Sequence, residues 1–198
     1  MDGSFLSMVV ILLLVMDPLG NVPLFLTLLR GVEARRRMRV IARECVIAAA
    51  IMMIFAFCGS AILDVFGISD PSLTMAGGVV LFLIALRMIF GGVDGMYGEA
   101  PAGEPFIVPL ATPAIAGPAA IAAIVLLASA APGRLLERVA AIAIATCVTL
   151  LVLIAAGRIS ELVGERGLVA LERLMGLILT AIAVEMLLRG VTAFVRHL

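Results

Sequence analysis

Read by its hydrophobic and polar positions, the chain falls into six long apolar segments, at about residues 5–29, 40–63, 72–92, 105–129, 135–157 and 168–190. Each is near the roughly 20 residues that a helix needs to cross a hydrocarbon core. None alternates apolar and polar residues with period two, and Ala, Leu, Ile and Met dominate, which favours helices over a β-barrel. The connections are short, so residues 1–198 read as a single transmembrane domain. Two segments carry residues that an unbroken apolar helix would avoid. "MDPLGNVPLF", at positions 16–25, sets Asp17, Pro18, Gly20, Asn21 and Pro23 inside the first segment. "VPLATPAIAGPAAI", at positions 108–121, sets Thr112, Pro113, Ala116, Gly117 and Pro118 inside the fourth.

These two interruptions correspond. A shift of 95 positions brings Asp17 onto Thr112, Pro18 onto Pro113, Val22 onto Gly117 and Pro23 onto Pro118. Further along, "SAILDVFG" (60–67) matches "GRISELVG" (157–164) at a shift of 97, and "GVVLFLIALRMIFGG" (78–92) matches "GLILTAIAVEMLLRG" (176–190) at 98. The pattern predicts an all-α membrane protein of six transmembrane helices, built as two three-helix repeats (1–98 and 99–198) with broken first and fourth helices. Three is odd, so the second copy enters the membrane from the opposite side, the inverted topology common among secondary transporters.

Proline fixes its φ, lacks an N–H and pushes the residue before it out of helical geometry. A pair of them five apart should end one half-helix near Asp17 and start another near Pro23, with Asn21 or Val22 as the cap; Gly117 takes that place in the second copy. At about 1.5 Å per residue, residues 5–16 span roughly 18 Å, so the break falls near mid-membrane. Interrupted backbone is tolerated there only when buried in protein or lining a cavity. Bare N–H groups at the starts of the second halves suit a carboxylate, and bare carbonyls at the ends of the first halves suit an ammonium group or a cation. Asp17 reads equally as a coupling site for H+ or Na+ and as a local cap, because Asp-Pro-x-Gly-Asn also makes a good turn. Arg87 and Glu185 coincide in the repeat, but inversion puts them near opposite faces rather than in contact. "MAGGVVLF" (75–82) reads as a close helix contact.

Composition removes the soluble alternatives. The chain is 64% hydrophobic and only 14% charged, more apolar surface than a soluble domain of 198 residues can hide. All 14 basic residues are arginine, and six lie between positions 30 and 43, which marks that first loop as cytoplasmic and not as a nucleic-acid patch. Arg158, Arg166 and Arg173 then share the cytoplasmic side. Asp64 and Asp70 in the second loop, Arg134 and Arg138 in the fourth, and both termini face the periplasm. The acidic third loop, with Asp94, Glu99 and Glu104, counts for little in this rule. Cys45, Cys58 and Cys147 lack metal-ligand spacing and read as reduced packing residues. "MDGSF" lacks the basic start of a signal peptide.

The pair "DPLGNVPLFLTLL" and "VPLATPAIAGPAAI" resembles the motifs of the MarC family of bacterial inner-membrane proteins, which includes the SnatA branch of neutral amino acid transporters. The resemblance covers essentially the whole chain. It implies two inverted three-helix halves and, for the SnatA branch, transport of small neutral amino acids such as glycine and alanine, coupled to a cation gradient. By motif position it implies that Asp17, Gly20 and Asn21 in the first break, and Thr112, Ala116 and Gly117 in the second, surround the substrate. Ala119 stands where a further glycine is common in the family, which narrows the site.

The expected function is therefore a secondary transporter of the inner membrane, with Na+ or H+ as coupling ion and no other cofactor. The alternative is a small-solute channel or an efflux protein of unknown substrate. An ATP-binding loop is missing, as are HExxH and GxSxG, and the sole histidine is His197, so an enzyme is not expected. The expected partners are the amino acid and the lipid bilayer; a homo-oligomer is allowed.

Overall fold

The computed structural model describes residues 4–90, 106–131 and 133–196. The expectations attached to Asp94, Glu99, Glu104 and His197 lie outside the described residues. Ser4 caps the first helix by accepting the Ser7 N–H on its hydroxyl. Helix α1 (Phe5–Met16) then runs apolar to its end. Asp17 stops it in a left-handed turn, φ 42°, a conformation that aspartate tolerates better than most side chains. Its N–H donates back to the Leu13 carbonyl at 3.0 Å. Helix α2 (Asn21–Leu28) restarts after the break, bent by 47° from α1.

Helix α3 (Ala34–Phe66) and helix α4 (Asp70–Phe90) meet at Gly67, whose φ of 62° only glycine adopts without strain. The Gly67 N–H reaches the Asp64 carbonyl and the Ile68 N–H the Leu63 carbonyl, which closes the end of α3. Next comes a wide π turn, Leu110–Ile115, interrupted at Thr112 by an extended conformation (φ −136°, ψ 132°). Pro109 and Pro113, both preceded by cis bonds, have no N–H to give. The remaining amides therefore reach back five residues, from Thr112 to Ile107, from Ala114 to Pro109 and from Ala116 to Ala111. Helix α5 (Pro118–Ala130) starts with Gly117 as its cap and proline in its first turn. Helix α6 (Leu135–Ile154) and helix α7 (Ala156–Arg196) complete the chain, and Gly164, with φ 72° and ψ 169°, divides α7.

Among the described residues, α3, α4, α6 and α7 are long and apolar enough to cross a bilayer, and the bent pair α1–α2 makes a fifth such element. α5 contributes a shorter apolar helix, Pro118–Ala128. Much of the outer surface is apolar: Leu162 and Phe90 are 88% and 82% exposed, as suits a lipid-facing side.

Several local expectations change. The basic loop at 30–39 is mostly helix: Arg35, Arg36, Arg37 and Arg39 ride on the first turns of α3, because arginine favours helix and no glycine or proline intervenes. The fifth loop is likewise helical apart from Gly164. Arg138 belongs to α6 and is buried, its Nη1 donating to the Ala131 carbonyl at 2.6 Å beyond the end of α5. Of the three cysteines only Cys45 is buried; Cys58 and Cys147 lie exposed on their helices, where a small apolar thiol suits lipid as well as a core. Glu185 pairs along its own helix with Arg189 at 2.7 Å.

Two buried clusters organise the packing. Met8, Leu12, Met16, Phe25, Met52, Leu110, Ile115, Ile124 and Ile142 join α1, α2, α3, α5, α6 and the π turn. Leu81, Ala85, Met88, Ala119, Leu179 and Ala183 join α4, α5 and α7. Close approach in the second depends on Gly77 and Gly78. A Cβ on Gly77 would stand 2.8 Å from the Ala122 Cβ, and one on Gly78 3.1 Å from the Ala183 carbonyl oxygen. The small-residue run at 75–82 is a helix contact, as its composition implied.

Candidate functional site

The two interruptions meet. Asn21, at the start of α2, donates both hydrogens of its side-chain amide, one to the Met16 carbonyl at 2.9 Å and one to the Ala114 carbonyl at 3.0 Å. The first acceptor ends α1; the second lies in the π turn before α5. Both are carbonyls that helix geometry leaves short of an internal partner near a break. Asn21 is therefore a bridge between the breaks rather than the cap of α2, and the cap position falls to Gly20.

Asp17 lies beside this bridge, only 5% exposed, with Oδ1 accepting the Gly20 N–H at 3.0 Å. Its second oxygen packs over Gly20, where a Cβ would collide with Oδ2 and come within 2.6 Å of the Met88 Cε. Glycine at position 20 thus gives the carboxylate its place. The amides at the start of α2 are largely used within the turn, Asn21 to the Asp17 carbonyl and Val22 to the Leu19 carbonyl. The expectation of bare amides at both breaks therefore fails for the first. At the second, the Ala119 and Ala120 amides belong to the opening turn of α5 and have no acceptor within their own helix.

A cavity of about 30 Å³ lies between the breaks. Asp17, Gly20, Asn21, Ala114, Gly117 and Ala119 form its polar and backbone side, and Leu81, Ile84 and Met88 of α4 with Leu179 of α7 form its apolar wall. Four of the six expected substrate residues, Asp17, Gly20, Asn21 and Gly117, are gathered here, together with Pro113 and Pro118. Thr112 and Ala116 are not part of the lining. The Thr112 hydroxyl donates to the Ala116 carbonyl at 3.2 Å, so both serve to shape the turn behind the cavity. Pro18, in the first break, and Pro23, in the first turn of α2, are buried without reaching the space. The apolar wall gave no signal in the sequence; Leu and Met at these positions look like any other packing residues.

A MarC family integral membrane protein model matches residues 3–195. The chain belongs to the MarC family. A membrane protein of Buchnera aphidicola subsp. Schizaphis graminum is 40% identical over 195 residues, covering 98% of this chain and all of the relative. The inner membrane protein YhgN of Escherichia coli (strain K12) is 41% identical over 195 residues, 98% of this chain and 99% of its own. A membrane protein of Methanocaldococcus jannaschii is 36% identical over 185 residues, 89% and 90% of the two chains. No solved structure matches the chain. This MarC chain is accordingly a multi-pass integral membrane protein.

Proposed function

We propose that this MarC protein is a secondary transporter of small neutral amino acids, of the size of glycine or alanine, driven by H+ or Na+ and working by alternating access. The reading includes six membrane crossings in two inverted halves, a location in the bacterial inner membrane with both termini in the periplasm, and a substrate site at the two breaks. The observation that carries it is the joining of both interruptions through Asn21 beside the buried carboxylate of Asp17. An interrupted backbone next to an ionisable group inside an apolar bundle is the arrangement that solute and ion sites of such transporters use.

Further features support the halves being copies. Asp17 and Thr112, equivalent at a shift of 95, are the residues that leave helical geometry within their respective breaks. Gly67 and Gly164, equivalent at 97, both have positive φ. Arg37 and Arg138, each the fourth residue of its helix, hold carbonyls near the end of the preceding broken element: Val32 and Arg30 for the first, Ala131 for the second. α4 packs most extensively on α7, as symmetry-related third helices would. The name of the Escherichia coli relative puts that protein in the inner membrane, which supports the same location here.

The cavity, at about 30 Å³, has room for water and is small for an amino acid, so on this reading we take the structure as a closed form of the carrier. Reconstituted in vesicles, the protein should accumulate labelled glycine or alanine above the outside concentration under an imposed proton or sodium gradient. Simple equilibration would favour the channel, and no movement of either amino acid would remove the proposed substrate class.

A further inference from the structure

Glu44 carries no motif, yet none of its side chain reaches the surface. It lies on α3. Its Oε1 accepts from Arg43 Nε at 2.9 Å, and its Oε2 accepts the backbone N–H of Ile107 at 2.9 Å. The Arg43 guanidinium sits over the ring of Phe106, 4.9 Å from its centre. A buried carboxylate is costly unless it is paired and hydrogen-bonded, so a structural reason for it is required. Arg43 of the same helix offsets part of that cost but does not explain why an acid stands there, and the other half has a plain core alanine in its place, Ala145 in the register that pairs Arg37 with Arg138 and Ala141 at the shift of 97. What Glu44 does is hold another element. Ile107 has a left-handed φ of 61°, costly for a β-branched residue, so the N–H that Glu44 takes must be held in place from outside. The Ile107 carbonyl in turn accepts the Thr112 N–H at 3.0 Å, the first of the wide turns that lead to Ala114 and its bond from Asn21.

We propose that Glu44 is the positioning residue of the second break, and that its bond to Ile107, covered by Arg43 and Phe106, is the closure of the cavity towards the side on which α3 begins. The closure rests on the transport reading above. With the bond made, residues 106–116 are fixed against α3 and the cavity stays shut. With it broken, the segment is released at its leading end and the cavity opens to that side.

Side-specific thiol labelling tests this without any solute. Cys45, Cys58 and Cys147 are replaced by alanine, and Val15→Cys, on the cavity lining, serves as reporter. A separate Arg35→Cys variant, exposed at the start of α3, marks the side. A membrane-impermeant maleimide is then added to one or the other side of sealed vesicles. Glu44→Ala should label the reporter at least fivefold faster than its parent from the side of position 35 and no faster from the opposite side. Arg43→Gln, which leaves the Ile107 bond in place, should give a smaller rise on the same side. Equal rates in variant and parent overturn the proposal, and so does a rise of equal size from both sides, which is what mere loosening of the fold would give. If Glu44→Ala does not fold, Glu44→Met, which fills the space but offers no oxygen to the Ile107 N–H, replaces it under the same criteria. Absence of amino acid uptake alongside one-sided labelling would count against the transport reading and leave the closure standing.

Discussion

Asn21 and Ala114, 93 positions apart, are joined by a hydrogen bond of 3.0 Å between the side-chain amide of one and the carbonyl of the other. Its second hydrogen is spent on Met16, so a single neutral side chain satisfies the carbonyls at both interruptions. A charged donor there would cost far more to desolvate than an amide, whose smaller penalty its two hydrogen bonds offset.

Asn21→Ala should leave two buried carbonyls without a donor, at about 1–3 kcal/mol each. Asn21→Asp should be worse than Asn21→Ala, because a carboxylate cannot donate and would face two carbonyl oxygens. Thermal unfolding in detergent checks the order; an aspartate variant as stable as the parent would contradict the bridge.

Asp17→Asn keeps an oxygen for the Gly20 N–H, so the turn should survive and thermal stability should change little. Uphill uptake should vanish while downhill exchange persists. Gradient-driven accumulation that matches the parent would remove Asp17 from coupling.

Gly20→Ala forces a Cβ into the Asp17 carboxylate and towards Met88. Overpacking of this kind costs about 1–3 kcal/mol. Gly157→Ala, whose Cβ meets nothing within 4 Å on α7, is the control and should be neutral or slightly stabilising. The two melting curves, compared directly, test whether glycine at position 20 is there for space.

Met88→Ala should enlarge the cavity and cost about 2–5 kcal/mol, as large-to-small core changes do. Competition by valine against labelled alanine should strengthen relative to the parent. No change in competition would mean that α4 does not set the size limit.

The breaks were legible because proline and glycine act locally: Pro18, Pro23, Pro113, Pro118 and Gly117 interrupt the backbone regardless of the surroundings. Their being neighbours in space was not legible, since Asn21 finds Ala114 only once both elements have packed. For the same reason Asn21 read as a cap, the usual local role of its residue type. Thr112 and Ala116 matched the motif but spend their polar atoms on each other. Glu44 was invisible because its partner is a backbone amide, which has no identity in a sequence. Arg138 read as a loop charge because its acceptor is likewise main chain. The basic cluster at 30–43 looked like a loop because charge was read without the helix propensity of arginine.

An amide with two hydrogens divided between two fragments has a consequence for any parting of those fragments. Met16 and Asn21 are five residues apart on one stretch of chain and travel together, whereas Ala114 belongs to the other. If the seam widens as the proposed carrier would require, the former tether can hold while the latter must snap, which strips the Ala114 carbonyl of its donor. Were the solute an amino acid, its ammonium head would find an acceptor uncovered by the very movement that lets it in.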